Sequence, residues 1–149
     1  MNQEDQTMKV KDVMTPQVIR VSAQDTAGGA ARMLAQYNVG MLPVVDKENK
    51  LCGVITDRDI AVRVVAAGQD PERTRVAHVM TGHVVTVGAD MELSAAAACM
   101  AREQVRRLPV EDHGRLCGML SLGDLAQQRN YTMEAADALA EISSNVSSR

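Results

Sequence analysis

Apolar residues along this chain fall in short blocks whose period changes from that of a strand to that of a helix and back, and the cycle runs twice. Val18 to Val21 reads as a Val-rich strand. Thr26 to Tyr37 follows as an Ala-rich helix, with Asp25 as its expected N-cap. Met41 to Asp46 reads as a strand, Lys47-Glu48-Asn49 as a turn and Leu51 to Ile55 as the return strand of a hairpin. A further helix starts near Thr56, whose hydroxyl suits an N-cap. The second cycle places a strand at Val84 to Val87, a helix at Glu92 to Glu103, a turn at His113-Gly114, a strand at Leu116 to Leu120 and a helix from Ser121. Each cycle is β-α-β-β-α. A last stretch, Thr132 to Ile142, has Met133, Ala136, Leu139, Ala140 and Ile142 at helical spacing, and Ser143 to Arg149 is expected to fray.

The two cycles are copies. Val13-Met14-Thr15 returns as Val79-Met80-Thr81, Ala30-Ala31 as Ala96-Ala97 and Leu42-Pro43-Val44 as Leu108-Pro109-Val110, all at one constant spacing. After a one-residue deletion, Leu51-Cys52-Gly53 returns as Leu116-Cys117-Gly118 and Asp59-Ile60-Ala61 as Asp124-Leu125-Ala126. The polar run Ala66 to Arg75, with Gly68 and Pro71, links them. The expected division is a first domain over 8–68, a connector over 69–75, a second domain over 76–130 and a C-terminal helix and tail over 131–149. The fold class is α+β. Neither copy alone covers both faces of its sheet, whereas two packed about a pseudo-twofold axis do.

Composition narrows the function. There is no Phe and no Trp among 149 residues, and Tyr37 and Tyr131 are the only aromatics, so aliphatic residues and ten Met must fill the core. Base stacking on aromatic side chains is absent, and the net charge is −3, which together set nucleic-acid binding aside. No apolar run reaches membrane-span length, and the polar start, Met1 to Thr7, lacks a secretory apolar stretch, so a cytoplasmic location is expected. Three cysteines without tight spacing read as free thiols, Cys52 and Cys117 at equivalent buried-strand positions and Cys99 on a helix. His78, His83 and His113 have no metal-ligand spacing, and no metal is expected. There is no phosphate-binding loop, dinucleotide fingerprint or nucleophile motif, so an enzyme is not expected.

Candidate chemistry sits in two matching phrases, Gly53-Val-Ile-Thr56-Asp-Arg-Asp59 and Gly118-Met-Leu-Ser121-Leu-Gly-Asp124. Each puts a hydroxyl and a carboxylate on one side of a first helical turn, where a carboxylate can accept both hydrogens of a ribose diol and free amides suit a phosphate. The same spacing is also that of a purely structural capping box. Arg106 and Arg107 precede a strand, and guanidinium groups suit phosphate, although cations also suit a helix C-terminus. The first copy has Gly40-Met41 there instead.

These phrases resemble the CBS domain family, whose pattern is a Val-Met-Thr start, a Leu-Pro-Val-Val-Asp strand and a Gly-x-x-Thr-x-x-Asp-Ile ending. The likeness runs from about Val10 to Gln128 and is greatest to short bacterial proteins made of two such modules. The second copy departs mildly, with Gly82, Glu111 and Ser121 for Pro16, Val45 and Thr56. The resemblance implies a paired, disc-like Bateman module with two clefts that take AMP, ADP, ATP or S-adenosylmethionine, no required cofactor, homodimerisation and output through another protein. It also implies two unequal sites. The first joins Thr56 and Asp59 to Thr81, Val84, Val85, Val105, Arg106, Arg107 and Pro109. The second joins Ser121 and Asp124 to Thr15, Val18, Ile19, Val39, Gly40, Met41 and Pro43. The competing readings are a ligand-free dimerisation scaffold and a redox or metal stress-response protein using the cysteines.

Overall fold

A computed structural model describes residues 7–16, 18–128 and 131–147. The expectations for the polar start up to Gln6 and for Ser148 and Arg149 lie outside the described residues. In chain order the elements are α1 (Val10–Val13), β1 (Val21–Ser22), α2 (Ala27–Tyr37), β2 (Met41–Val45), β3 (Leu51–Thr56), α3 (Asp57–Ile60), α4 (Val76–Val79), β4 (Val87–Gly88), α5 (Leu93–Glu103), β5 (Arg107–Asp112), β6 (Arg115–Ser121), α6 (Leu122–Ala126) and α7 (Thr132–Ser147). A π-helical turn, Ala61–Val65, continues α3. The sheets have order β1-β2-β3 and β4-β5-β6. The fold is thus α+β with the β-α-β-β-α order in both copies.

The chain divides into two compact units. One holds Ile19–Val84 with Gly114–Leu116 and contains the first sheet. In it β2 pairs parallel to β1 and antiparallel to β3, from Met41↔Thr56 to Val45↔Leu51, with a bulge at Val44/Val45. Leu42 to Val45 are all buried, so β2 is covered on both faces. Its core joins Val21, Ala27, Ala30, Leu34, Leu42, Val44, Ile55, Val64 and Val76. The other unit holds, among the described residues, 7–18, Val85–His113 and 117–147. Its core centres on Leu93, Met100, Leu108, Val110, Leu120 and Leu125, and α7 adds Ala135 and Ala138 to it.

Several local expectations shift. Thr26, not Asp25, caps α2: its Oγ1 accepts from Gly29 N at 3.1 Å, while Asp25 accepts from Ser22 N at 2.9 Å. The leading strands shrink from Val18–Val21 and Val84–Val87 to Val21–Ser22 and Val87–Gly88, the residues in register with β2 and β5. The helices expected from Thr26 and Glu92 begin one residue later, those residues being the caps. Helix α7 runs to Ser147, four residues past Ser143, where fraying was expected to begin. Helix C-termini close through left-handed Asn38 and Gln104.

The Val-Met-Thr phrases pack on the opposite copy. Thr81 exchanges both backbone hydrogen bonds with Val54 of β3 at 2.8 and 3.0 Å, and Thr15 does so with Met119 of β6 at 2.9 Å each. This explains the repeated glycine before each bridge. A Cβ on Gly53 would lie 2.6 Å from Thr81 O and 2.9 Å from Met80 Sδ, and one on Gly118 would meet Met14 Sδ and Thr15 O. Gly53→Ala should therefore lower unfolding free energy by about 1–3 kcal/mol in urea titration. An unchanged midpoint would mean that the segment yields without cost.

Candidate ligand site

In the first-sheet unit, β3 ends at Thr56 and α3 begins, and the two ends of the turn hold each other. Thr56 N donates to Asp59 Oδ2 at 3.0 Å and Asp59 N donates to Thr56 Oγ1 at 3.0 Å. The capping-box geometry is therefore present. Asp59 is only 7% exposed, and Thr81 Oγ1 donates to both its carboxylate oxygens, at 3.1 and 3.2 Å. Arg63 Nε lies 3.9 Å from Asp59 Oδ1, and its Nη1 donates to Val79 O and Met80 O at 3.2 and 3.0 Å. A buried carboxylate costs several kcal/mol unless satisfied, and here backbone and hydroxyl donors satisfy it. A diol taking Asp59 must compete with the Thr81 hydroxyl. The structure brings together Thr56, Asp59 and Thr81, all three expected from the sequence, and adds Arg63, which the sequence pattern did not single out and which lies one helical turn after Asp59.

In the second-sheet unit, Ser121 N donates to Asp124 Oδ2 at 2.9 Å and Asp124 N donates to Ser121 Oγ at 3.0 Å. The box is the same but more exposed: Asp124 is half-buried, and Thr15 is exposed rather than bonded to it. Arg106 O accepts from Leu122 N at 2.8 Å, as Gly40 O does from Asp57 N at 3.0 Å, which ties each strand start to its helix start. Arg106 and Arg107 are exposed and share a cavity of about 560 Å³ with Ser121, Leu122 and Gly123. Among the other expected site residues, Val84, Ile19, Val39, Gly40, Met41 and Pro43 belong to the first-sheet unit, and Val18, Val85, Val105 and Pro109 to the second.

The thiols differ from expectation. Cys99 is buried, but Cys52 and Cys117 are half-buried on β3 and β6, Cys117 lying at the edge of the second-sheet core. Desolvation, reinforced by Asp46, raises the Cys52 pKa, and desolvation with Asp112 and Glu111 raises that of Cys117. Both then hold less thiolate at neutral pH than a free cysteine. Among the described residues no three His, Cys, Asp or Glu side chains form a metal-binding group. No described helix is long and apolar enough to cross a membrane.

Comparison with known proteins agrees with this architecture. The model of the CBS domain matches residues 10–66 and again 76–130. The CBS domain-containing protein YhcV of Bacillus subtilis is 44% identical over 134 residues, covering 90% of this chain and 94% of its own. Hypoxic response protein 1 of Mycobacterium tuberculosis is 31% identical over 117 residues, 78% of this chain and 82% of its own. A crystal structure of Hypoxic Response Protein I, with two coordinated zinc ions, superposes with a TM-score of 0.74 at 30% identity, covering 81% of this chain and 98% of that one. The CBS domain pair of protein MJ0100, solved with 5′-methylthioadenosine and S-adenosyl-L-methionine, superposes with a TM-score of 0.68 at 28% identity, covering 81% and 94%. With the family model matched twice and relatives aligned over most of their own length, the chain belongs to the CBS domain family and carries the domain in tandem.

Proposed function

We propose that this CBS pair is a regulatory sensor of adenosyl ligands, AMP, ADP, ATP or S-adenosylmethionine, and not a catalyst. The observation that carries the reading is the duplicated hydroxyl–carboxylate pair, Thr56 with Asp59 and Ser121 with Asp124, held in the same geometry in both copies. The MJ0100 pair, solved with two adenosyl compounds, supports it. The first site would use Thr56 and Asp59 for ribose with Thr81, Val84, Val85, Val105 and Pro109 around the ligand, and Arg106 and Arg107 for phosphate. The second, with Ser121, Asp124, Thr15, Val18, Ile19, Val39, Gly40, Met41 and Pro43, would prefer a less charged ligand, since this pairing assigns the arginines to the first site, although Ser121 shares a cavity with both of them. Output would pass through a homodimer and a downstream protein, and it requires that the ligand bind the two states with different affinity. The raised thiol pKa values count against a redox role for Cys52 and Cys117.

Calorimetric titration of the four ligands tests this. At least one should bind below about 1 mM, and Asp59→Asn or Arg107→Ala should weaken it by about 5- to 150-fold. Asn keeps a capping oxygen, so that variant separates ligand loss from unfolding. If none of the four binds below about 1 mM, the ligand-free scaffold is the better reading.

A further inference from the structure

Where the second copy departs from the first around its helix start, the departures converge. Gly40, Met41, Asp57 and Arg58 are replaced, position for position, by Arg106, Arg107, Leu122 and Gly123. In the second-sheet unit those four replacements line one cavity of about 560 Å³, which α7 walls through Ala136 and Leu139. In the first copy the Asp57 carboxylate lies at the same corner, 3.4 Å from where a Cβ on Gly40 would be, and Gly40, Asp57 and Arg58 are exposed. Leu122 removes that negative charge, Gly123 removes the bulk of a side chain, and two guanidinium groups arrive. Neither arginine has a salt bridge among the described residues. Ser121 Oγ accepts from Asp124 N and keeps its own proton to donate.

We propose that this cavity binds an anionic amphiphile, with an aliphatic body along α7 and a carboxylate or phosphate-monoester head on Arg106 and Arg107. The volume is that of a small-molecule site. No aromatic residue lines it to stack a nucleobase, while Leu122, Ala136 and Leu139 suit an alkyl chain. The planar guanidinium forks suit either oxyanion. The inference uses neither Asp59 nor Asp124 and so stands apart from the nucleotide reading, although Arg106, Arg107 and Ser121 are common to both.

The probes are octanoate and octyl phosphate, with octyltrimethylammonium and octanol as controls, titrated calorimetrically into the full chain. One or both anions should bind below about 1 mM and neither control should, the two anions together telling a carboxylate from a phosphate preference. Arg106→Ala with Arg107→Ala should weaken binding by about tenfold or more. Ala136→Phe fills the cavity from an exposed position of α7, where circular dichroism should show an intact fold, and should abolish binding. Asp59→Asn should leave octanoate affinity unchanged while lowering nucleotide affinity, so the two readings fail separately. Equal binding of the cationic control, indifference to Ala136→Phe, or no anion binding below about 1 mM would overturn the proposal.

Discussion

Asp59→Ala should destabilise the protein by about 3 kcal/mol, and Asp124→Ala by only about 1 kcal/mol, although the two acids hold the same place in the repeat. The smaller figure is the worth of a helix cap, which is what Asp124 does for Ser121 N. Asp59 provides the same cap and also accepts both contacts of the Thr81 hydroxyl in a site where it is 7% exposed. Removing it strands two donors, Thr56 N and Thr81 Oγ1, each costing about 1–3 kcal/mol when left unmatched out of water. Arg63 adds little to the difference: its guanidinium is 3.9 Å away and half exposed. Urea unfolding of the two variants against the parent reads the contrast directly. Equal losses would show that the Thr81 contacts contribute nothing beyond the cap. Thr81→Val in the Asp59→Ala background should then restore part of the loss, because the stranded hydroxyl goes with it.

That asymmetry was not legible from the residues alone, and the reason is physical. Hydrophobic period, turn residues and the Thr56 and Ser121 caps are local, and they mark the hairpins and helix starts to within a residue or two. The exchange of the Val-Met-Thr phrases is not local. Thr81 heads the second copy in sequence yet bridges to Val54, so nothing near Asp59 in the chain announces its third partner. Gly53 and Gly118 carried the only trace, as repeated glycines inside strands, where close approach of another backbone is the usual cause. The leading strands differ for the opposite reason: valine and isoleucine favour strands, but where a ladder forms is set by register with the neighbouring strand, here Val21↔Val44 and Ser22↔Val45. The Asp25 cap failed because Asp25 closes its own turn on Ser22, leaving Thr26 next to the helix. The arginines were legible as phosphate-type groups, but not that Leu122, Gly123 and α7 shape a cavity beside them.

Ile142→Ala should cost about 3 kcal/mol while Leu139→Ala, on the same helix, costs less than about 1 kcal/mol. Nothing in the repeat corresponds to α7; it is the addition that makes one unit unlike the other. It packs on α5 and α6, burying Ala135, Ala138 and Ile142 and following the buried Tyr131, whose hydroxyl accepts from Met8 N at 3.3 Å. Ile142 is 5% exposed, so truncation leaves a cavity between helices that the short α6 cannot close. Leu139 is 41% exposed, at the cavity beside Arg106 and Arg107, and its loss removes little buried surface. Ending the chain after Gln128 removes Tyr131 and all of α7 at once, about 5 kcal/mol of apolar burial, a sum as large as the stability of many small domains. Thermal unfolding of that truncated chain should become biphasic, the second-sheet unit melting first and the first-sheet unit, which α7 does not enter, near the parent temperature. A single transition at the parent temperature would mean that α7 rests on the unit without stabilising it, and a single transition well below it would mean that the two units unfold as one.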